Sequence, residues 1–308
     1  MSPAAVAVLA AAVRAGTPVL FATLGEIFAE RSGVLNLGVE GMMLVGALAG
    51  FVTTVRTGHP WLGLLAAAAA GAALSLVHAV LSISLRANQI ASGLALTIFG
   101  TGLSASLGRS YIGVPAAGFQ PFPLPGLGDI PILGPMLFRQ DALVYLSYAL
   151  VAAAWYALYR TRWGLELRAV GERPEAADAM GVDVARVRYG CVAIGGVLAG
   201  VGGAYLSTAY TSMWIENMTA GRGWIAVALV IFATWDPLRA VLGAYLFGGV
   251  NALQLYLQAS GTGLPVYLLL MAPYVFTMVV LVIATRGTVR RRLGTPAALS
   301  LSYSRDGG

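Results

Sequence analysis

Nine apolar segments separated by short polar stretches constrain the fold of this chain more than any single motif. They lie at about 5–24, 34–55, 61–85, 90–107, 141–160, 189–206, 222–235, 238–258 and 264–285. A helix that crosses the hydrocarbon core of a bilayer needs about 20 apolar residues, and most of these segments approach that length. We therefore predict an all-α integral membrane protein, a polytopic bundle of roughly 8–10 transmembrane segments.

The composition supports the same class of protein. Of the 308 residues, 58% are hydrophobic and 10% are charged, and the mean hydropathy is +0.79. Globular proteins carry about 25% charged residues, so a soluble domain is excluded. All 19 basic residues are arginines and they cluster at segment ends. This distribution indicates orientation in a membrane rather than binding to nucleic acid.

Two arginine clusters set the predicted orientation. Six arginines lie between 160 and 188, and four more follow the last apolar segment: Arg286, Arg290, Arg291 and Arg292. The positive-inside rule places both clusters in the cytoplasm. The Pro-rich segment 108–140 then lies outside, as an extended cover, because its prolines cannot continue a helix. Nine crossings put the N-terminus outside, whereas a re-entrant second segment would put it inside.

The chain is expected to form one membrane domain over 1–290, followed by a disordered cytoplasmic tail over 291–308. The first apolar segment lacks a charged leader and a small-residue cleavage site, so we predict a retained span rather than a signal peptide. In segment 189–206, two sets of small residues recur every four positions. Such spacing permits close helix packing. The sets are Gly196 with Gly200, and Gly195 with Ala199 and Gly203.

Two apolar segments are interrupted at matching positions of the two halves. The first interruption is Gly33–Gly41, and the second runs from Gly221 through Pro237 to Gly243. Lipid cannot satisfy the backbone groups that such breaks expose, so we expect both to face protein or a water-filled cavity. Paired interrupted helices are typical of midplane substrate sites in carriers built from repeats.

Polar side chains in or near these breaks are candidates for a substrate pathway. A carboxylate within the membrane is a functional-site candidate by default, although Glu40 can instead brace the broken helix through backbone N–H groups. The amides and hydroxyls can bond a polar ligand or a neighbouring helix, and Trp224 can stack on a planar ligand or belong to the interfacial belt. The candidates are Asn36, Glu40, Asn88, Gln89, Ser92, Thr97, Trp224, Asn251 and Gln254.

Other polar residues carry no predicted chemistry. Glu26, Glu30 and Arg31 are expected at the membrane interface in structural roles. Cys191 is the single cysteine, which excludes an intrachain disulfide, and the two histidines are too isolated to form a metal site. No nucleophile with a neighbouring base stands out, so we expect neither a catalytic site nor a bound metal.

The charged loop between 160 and 188 carries a short helix with clear ends. Pro174 suits the first helical position, Glu175 lies where the helix dipole favours negative charge, and Gly181 can adopt the left-handed conformation that ends a helix. We expect the helix at 174–181 to protrude and to dock on a partner.

Four blocks in order carry a family resemblance. They are ERSGVLNLGVEG at 30–41, NQIASGLA at 88–95, GERPEAADAMGVD at 171–183 and GRGWIAVA at 221–228. Together they resemble the permease subunits of bacterial ABC importers for nucleosides and simple sugars, in the superfamily that includes the branched-chain amino acid and ribose permeases. One departure is the sequence ATWD at 233–236, where relatives commonly carry a glycine-containing turn.

This resemblance implies a permease subunit of an ATP-driven importer in the bacterial inner (plasma) membrane, which forms the path for a small polar solute such as a nucleoside, a simple sugar or a purine. It implies cytoplasmic ABC ATPase subunits, a second permease subunit (a copy or a paralogue) and an extracytoplasmic substrate-binding protein as partners. It also implies that the short helix is the coupling helix that docks on the ATPase. The coupling residues are Pro174, Glu175, Ala176, Ala177, Asp178, Ala179, Met180, Gly181 and Asp183.

The energy source is predicted independently of the resemblance. A phosphate-binding P-loop requires a lysine, and this chain contains none. We therefore expect no cofactor on this chain, with ATP and Mg²⁺ bound by the partner ATPases. Two alternatives stay open: a permease for branched-chain amino acids or another solute, and a self-sufficient carrier that uses Glu40 as a proton or cation site.

Overall fold

The computed structural model describes residues 3–261, 263, 265–285 and 294–304, which are predominantly helical. The helices are α1 (Pro3–Arg31), α2 (Val39–Thr57), α3 (Pro60–Ala79), α4 (Gln89–Gly108), α5 (Ala142–Arg160), α6 (Arg162–Glu172), α7 (Pro174–Ala179), α8 (Val184–Tyr205), α9 (Arg222–Phe232), α10 (Pro237–Ala259) and α11 (Val266–Thr285). Two π-helical turns, Val80–Ser84 and Leu206–Tyr210, extend α3 and α8. Within this part of the chain, seven helices are long and apolar enough to cross a membrane, namely α1, α2, α3, α4, α5, α8 and α10. Helix α9 and the Val266–Val280 part of α11 are shorter apolar stretches. The prediction of an all-α polytopic membrane protein is confirmed.

Small residues allow α8 to lie at the centre of the bundle. A Cβ at Gly200 would overlap the carbonyl oxygen of Ala67 in α3, and a Cβ at Gly203 would overlap that of Met43 in α2. On another face of α8, a Cβ at Gly25 in α1 would lie 2.8 Å from the Gly195 carbonyl oxygen. The predicted spacing of small residues therefore packs α8 against three helices of its own chain.

The first described residues lie on the face opposite the 161–188 loop, as nine crossings require. At one end of α1, the Gln140 side chain donates to the Ala10 carbonyl (3.4 Å), which places this end beside the Pro-rich segment. At the other end, Arg31 donates to the Tyr159 hydroxyl (3.3 Å) beside the start of the loop. A full 19-residue helix, α2, then returns to the face of the Pro-rich segment, where Arg56 donates to Tyr111. The second segment is therefore not a re-entrant hairpin.

Glu26 and Glu30, which were expected at the membrane interface in structural roles, are buried within the helix bundle. Both lie within α1 and are 0% and 1% exposed, because this stretch of α1 packs along α8, α9 and α10. One Glu30 carboxylate oxygen accepts a hydrogen bond from the Trp235 indole N–H (2.7 Å). Arg31, at the end of the helix, bonds the Trp235 carbonyl oxygen (3.3 Å) and keeps its expected structural role.

The Pro-rich segment 108–140 has no long helix, as predicted, but it forms an irregular cover of turns rather than the extended one expected. It contains only short turns and two three-residue antiparallel strands, β1 (Pro121–Pro123) and β2 (Arg139–Asp141). Phe119 is buried edge-on against Trp61, with ring centroids 5.0 Å apart, and its N–H donates to the Thr208 carbonyl (2.9 Å). The segment therefore covers the adjacent ends of α3 and α8.

The 161–188 loop holds two helices, whereas the sequence analysis expected one. Helix α6 buries Leu167 and Val170 among exposed charged residues, and Thr161 caps it by accepting a bond from Gly164 N–H (3.0 Å). The charged residues of α6 masked its amphipathic pattern. Helix α7 ends at Ala179, and Gly181 has the predicted left-handed conformation, with φ of +86°.

The tail differs from the expected disordered segment. Residues 294–304 form turns that pack on the face of the 161–188 loop, where Ala298 is buried and its N–H donates to the Gly171 carbonyl (2.9 Å). The predicted cytoplasmic arginines Arg286, Arg290, Arg291 and Arg292 lie outside the described residues.

Candidate functional site

The Glu40 carboxylate joins the two interrupted segments. One carboxylate oxygen accepts hydrogen bonds from the Thr219 hydroxyl (2.5 Å) and the Gly221 N–H (2.7 Å), and the other accepts from the Gly223 N–H (2.6 Å). The first N–H groups of a helix have no partner within the helix and attract negative charge. Glu40, in the first turn of α2, thus caps the N-terminus of α9 from across the bundle. This arrangement corresponds to the bracing role considered for Glu40.

The junction lies near the middle of the membrane. Helix α9 has 11 residues, and at 1.5 Å per residue it spans about 16 Å, roughly half of a hydrocarbon core of about 30 Å. Its C-terminal end reaches the face of the 161–188 loop, because Trp235 follows directly and bonds Arg31 there. The N-terminus of α9 and the Glu40 carboxylate therefore lie at about half depth, which agrees with the predicted half-span.

Residues 32–38 form a non-helical connection between α1 and α2, here called the elbow. Its backbone bonds side chains of α4: Gln89 accepts from the Leu35 N–H (2.8 Å) and Thr97 donates to the Leu37 carbonyl (2.9 Å). Within the elbow, Asn36 accepts from the Gly38 N–H (3.0 Å). These polar residues satisfy backbone groups that lipid could not.

The buried imidazole of His78 also supports the elbow, a role the sequence analysis missed. Its two ring nitrogens lie 3.0 Å from the Ser92 hydroxyl and 3.0 Å from the Leu35 carbonyl oxygen. The sequence feature that could have indicated this role is a histidine within the otherwise apolar α3. Asn88 is not part of this cluster: it is exposed, and it caps α4 by accepting from the Ala91 N–H (3.0 Å).

A second group of candidates lines a cavity of about 460 Å³ between α10, α11 and the chain that leads into α9. Asn251 and Gln254 contribute amides from α10, and Tyr210 and Tyr274 contribute aromatic rings. Arg222 is held at the wall by bonds from its guanidinium to the Met218 and Thr219 carbonyls (3.0 and 3.1 Å). The cavity therefore offers both hydrogen-bonding and stacking surfaces to a polar solute.

Trp224 lies apart from this cavity. It is 52% exposed, on the outside of the chain, in the first turn of α9. Because α9 begins at about half depth, this position is not at the end of a full span, where aromatic belts form. The stacking and interfacial interpretations of Trp224 both lack a supporting contact among the described residues.

The turn at 233–236 adopts a backbone conformation that is typical of glycine, although it contains no glycine. Thr234 and Trp235 have φ of +52° and +54°, the left-handed region that glycine enters most readily. Side chains hold the turn: the Trp235 indole bonds Glu30 (2.7 Å) and Arg239 donates to the Thr234 hydroxyl (2.6 Å). The turn at 233–236 therefore holds a left-handed conformation and is anchored to α1.

The predicted coupling residues form a projection with a buried base. Pro174 and Ala177 of α7 are buried, while Glu175, Ala176 and Met180 point outward. Met180 is 85% exposed, which is unusual for a large apolar side chain. Asp183 caps α8 by accepting from the Arg186 N–H (2.9 Å), and this fixes the loop behind the projection.

No group of three or more histidine, cysteine or acidic side chains within the described ranges is placed to hold a metal ion. Cys191 is a buried free thiol. The polar groups thus form a braced junction, a mid-membrane cavity and an exposed projection.

Residues 8–285 match the family described as branched-chain amino acid transport system / permease component. The chain belongs to this family of ABC transporter permeases. It is 48% identical, over 98% of both chains, to TsgC13 of Haloferax volcanii, named as a candidate glucose ABC transporter permease. It is 37% identical to the guanosine permease NupQ of Bacillus subtilis, over 86% of this chain and 87% of the relative. It is 38% identical to the nucleoside permease NupC of Lactococcus lactis, over 86% and 88%.

No solved structure matches the chain. The family assignment confirms the predicted resemblance and identifies a multi-pass membrane protein that serves an ABC transporter. Permease subunits of such transporters are not themselves the ATPases, and membership implies ATPase and substrate-binding partners.

Proposed function

We propose that this permease forms the translocation path for a nucleoside or a related neutral sugar. The observation that carries the proposal is the cavity beside the mid-membrane junction, whose lining includes Arg222, Asn251, Gln254 and two tyrosines. Amides and a guanidinium suit the hydroxyls and carbonyls of a sugar or base, and the rings suit a planar or sugar face. The relatives named for glucose, guanosine and nucleosides support the same solute class.

The charge of the cavity argues against a branched-chain amino acid. Such a zwitterion presents an ammonium as well as a carboxylate, and a buried charge needs a partner of opposite sign. Among the described residues that line the cavity, Arg222 is charged and no carboxylate is present. Glu40 does not supply one, because Thr219, Gly221 and Gly223 occupy its two oxygens. The same bonds make Glu40 a poor proton or cation carrier, which disfavours the self-sufficient transporter.

We infer further that the projection at 174–181 is the coupling helix. Met180 is the exposed apolar anchor of a docking contact, with Glu175, Ala176, Asp178, Ala179, Gly181 and Asp183 around it and with Pro174 and Ala177 as its base. Movement of the docked ATPases would shift this loop and switch the path between its outside-facing and inside-facing states. The elbow and α9 are the interrupted elements that would move.

The proposed transporter contains two cytoplasmic ABC ATPase subunits, a second permease that is a copy or a paralogue of this chain, and an extracytoplasmic binding protein. The absence of lysine from the sequence leaves this chain without a P-loop, so ATP and Mg²⁺ belong to the ATPases. No cofactor is assigned to the permease itself.

Substitution of arginine on the projection tests the coupling role. Asp178→Arg and Met180→Arg are compared with Glu216→Arg, an exposed substitution at the opposite face. In proteoliposomes with the ATPases and the binding protein, each projection variant should lower uptake of labelled guanosine or glucose about tenfold, as expected for the loss of about 1.4 kcal/mol of docking energy. Glu216→Arg should keep full uptake.

Unchanged uptake by both projection variants would contradict the coupling role. Import by the purified permease without ATPases would instead support a self-sufficient carrier. The solute class has its own test, because labelled leucine in place of guanosine or glucose distinguishes an amino acid permease. Mass spectrometry of the ligand that co-purifies with the binding protein then identifies the solute.

A further inference from the structure

Residues 294–304, here called the strap, connect three elements at the face of the 161–188 loop. The Ala298 N–H donates to the Gly171 carbonyl of α6 (2.9 Å), and the Ser300 N–H donates to the Gly33 carbonyl of the elbow (3.2 Å). The Leu301 carbonyl accepts from the Arg188 guanidinium of α8 (3.2 Å). A segment that hydrogen-bonds three separate elements restrains their relative movement.

Arg188 links the strap to the elbow. Its side chain is 2% exposed, and its guanidinium donates to the Ser32 carbonyl (3.1 Å) in addition to the Leu301 carbonyl. A buried guanidinium is costly unless hydrogen-bond acceptors surround it, so removal of the strap takes away one of its acceptors. A side chain at Gly33 would crowd these contacts, since a Cβ there would lie 2.9 Å from the Arg188 guanidinium and 3.0 Å from the Ala298 carbonyl oxygen.

The strap also reaches the base of the coupling projection. Gly171 lies three residues before Pro174, and a Cβ at Gly171 would overlap the Arg31 carbonyl oxygen and lie 3.5 Å from Pro296. The end of α1, the end of α6 and the strap therefore meet at one point. From there the elbow leads to Glu40, which holds the N-terminus of α9. The contacts form a continuous path from the projection to the mid-membrane junction.

The geometry points to the strap as a coupling tie, which transmits movement of the 161–188 loop to the elbow, with Arg188 as its positioning residue. This inference rests on the proposed function, because it assumes that ATPases move the loop. Through hydrogen bonds, the strap joins α6 at Gly171 to the elbow at Gly33. These two places are far apart in sequence, and both belong to the proposed moving parts. Without the strap, the loop and the elbow would keep the Arg188–Ser32 hydrogen bond and the packing of Gly171 on Arg31, but they would lose the second connection that the strap provides.

Two variants remove the tie in different ways. One ends the chain after Gly294, and the other is Ala298→Trp, which is too large for the buried position of Ala298 and leaves the sequences of the elbow and α8 as they are. Ser302→Ala, at an exposed position of the strap, is the matched control. Each permease is purified with its ATPases and reconstituted with the binding protein and labelled guanosine or glucose.

The decisive measurement is the number of solute molecules imported per ATP hydrolysed by the assembled complex. Both variants should lower this ratio about fivefold or more, the lower end of the range for coupling between sites, while ATP hydrolysis continues. Ser302→Ala should keep the wild-type ratio. A purely structural strap would lower the amount of complex but leave the ratio of the surviving complex unchanged.

Several results would overturn the inference. An unchanged ratio of solute imported per ATP hydrolysed would be one. A raised ratio would mean that the strap restrains transport. Failure of both variants to assemble would mean that the strap has a structural role only. The wild-type complex separates this inference from the proposed function. If the wild type shows no ATP-dependent import, the proposed function fails; if it imports normally and the variants match it, only the tie fails.

Discussion

The elbow with its Glu40 junction and the 174–181 projection are both short, glycine-containing interruptions of helical structure. Their polar side chains, however, have opposite surroundings. At the junction, Glu40, Gln89 and Thr97 bond backbone or side-chain groups of other elements, and all three are buried. At the projection, Glu175 and Met180 are exposed. The polar groups at the junction are therefore hydrogen-bonded within the chain, whereas the side chains of the projection point outward.

The difference follows from the surroundings of each interruption. Hydrocarbon offers no hydrogen bonds, so a break at half depth must find every partner within the protein. At the aqueous face, water satisfies the free backbone groups, and the side chains remain available to a partner. Substitutions at the junction should therefore act mainly on stability, whereas substitutions at the projection should act mainly on coupling.

Glu40→Gln should have the largest effect on stability. An amide cannot accept hydrogen bonds at both ends, so its NH₂ group would face one of the three donors Thr219, Gly221 and Gly223. Loss of a buried, charge-assisted acceptor costs about 2–4 kcal/mol, and the permease should still insert and assemble. Thermal unfolding of the detergent-solubilised complex measures the loss.

Glu216→Gln is the control for Glu40→Gln, because Glu216 is an exposed glutamate in the chain that leads into the same helix. It should leave the melting temperature unchanged. If both substitutions leave it unchanged, Glu40 is not the brace of the junction and the contrast between the two interruptions fails. Uptake by Glu40→Gln should fall with the loss of the α9 cap.

Gly93→Ala should have an intermediate effect. A Cβ at this position of α4 would lie 2.7 Å from the Leu37 nitrogen and 2.9 Å from the Gly38 nitrogen, so α4 or the elbow must move. Overpacking of this kind costs about 1–3 kcal/mol. Gly102→Ala, on the same helix with open space around it, should not destabilise the protein. Equal melting temperatures for the two variants would show that the elbow is loosely packed.

The sequence was sufficient to predict elements that depend on local composition. Each of the nine predicted apolar segments contains a helix, and the half-span at α9 and the left-handed Gly181 were predicted from glycine and proline positions. Helix α6 was missed because its apolar residues are interspersed with arginines and glutamates. The burial of Glu26 and Glu30 was not predicted, because the sequence around a carboxylate near a segment end does not show which helices will pack against it.

The candidate site was predictable as a set of residues but not as an arrangement. Asn36, Glu40, Gln89, Ser92 and Thr97 were identified from their polarity within apolar segments, and the structure brings them to the elbow and its junction. Sequence alone could not show that their partners are mostly backbone groups, because those groups are specified by tertiary packing. For the same reason, the sequence could not show that Asn251 and Gln254 line the cavity whereas Trp224 does not.

Gly181→Ala should have the smallest effect on stability and sharpens the comparison from the exposed side. A Cβ at Gly181 meets nothing within 4 Å, so the cost arises only from the left-handed backbone, with φ of +86°. That strain is about 1 kcal/mol, and local fraying of α7 would relieve part of it. The melting temperature should therefore change by no more than about 2–4 °C, while solute imported per ATP falls because the projection is less well ordered.

Gly181→Asn should restore the ratio, because asparagine tolerates this conformation better than alanine. A melting temperature lowered as far as that of Gly93→Ala would mean that the projection is part of the packed core, and the distinction between a closed and an outward-facing interruption would not hold.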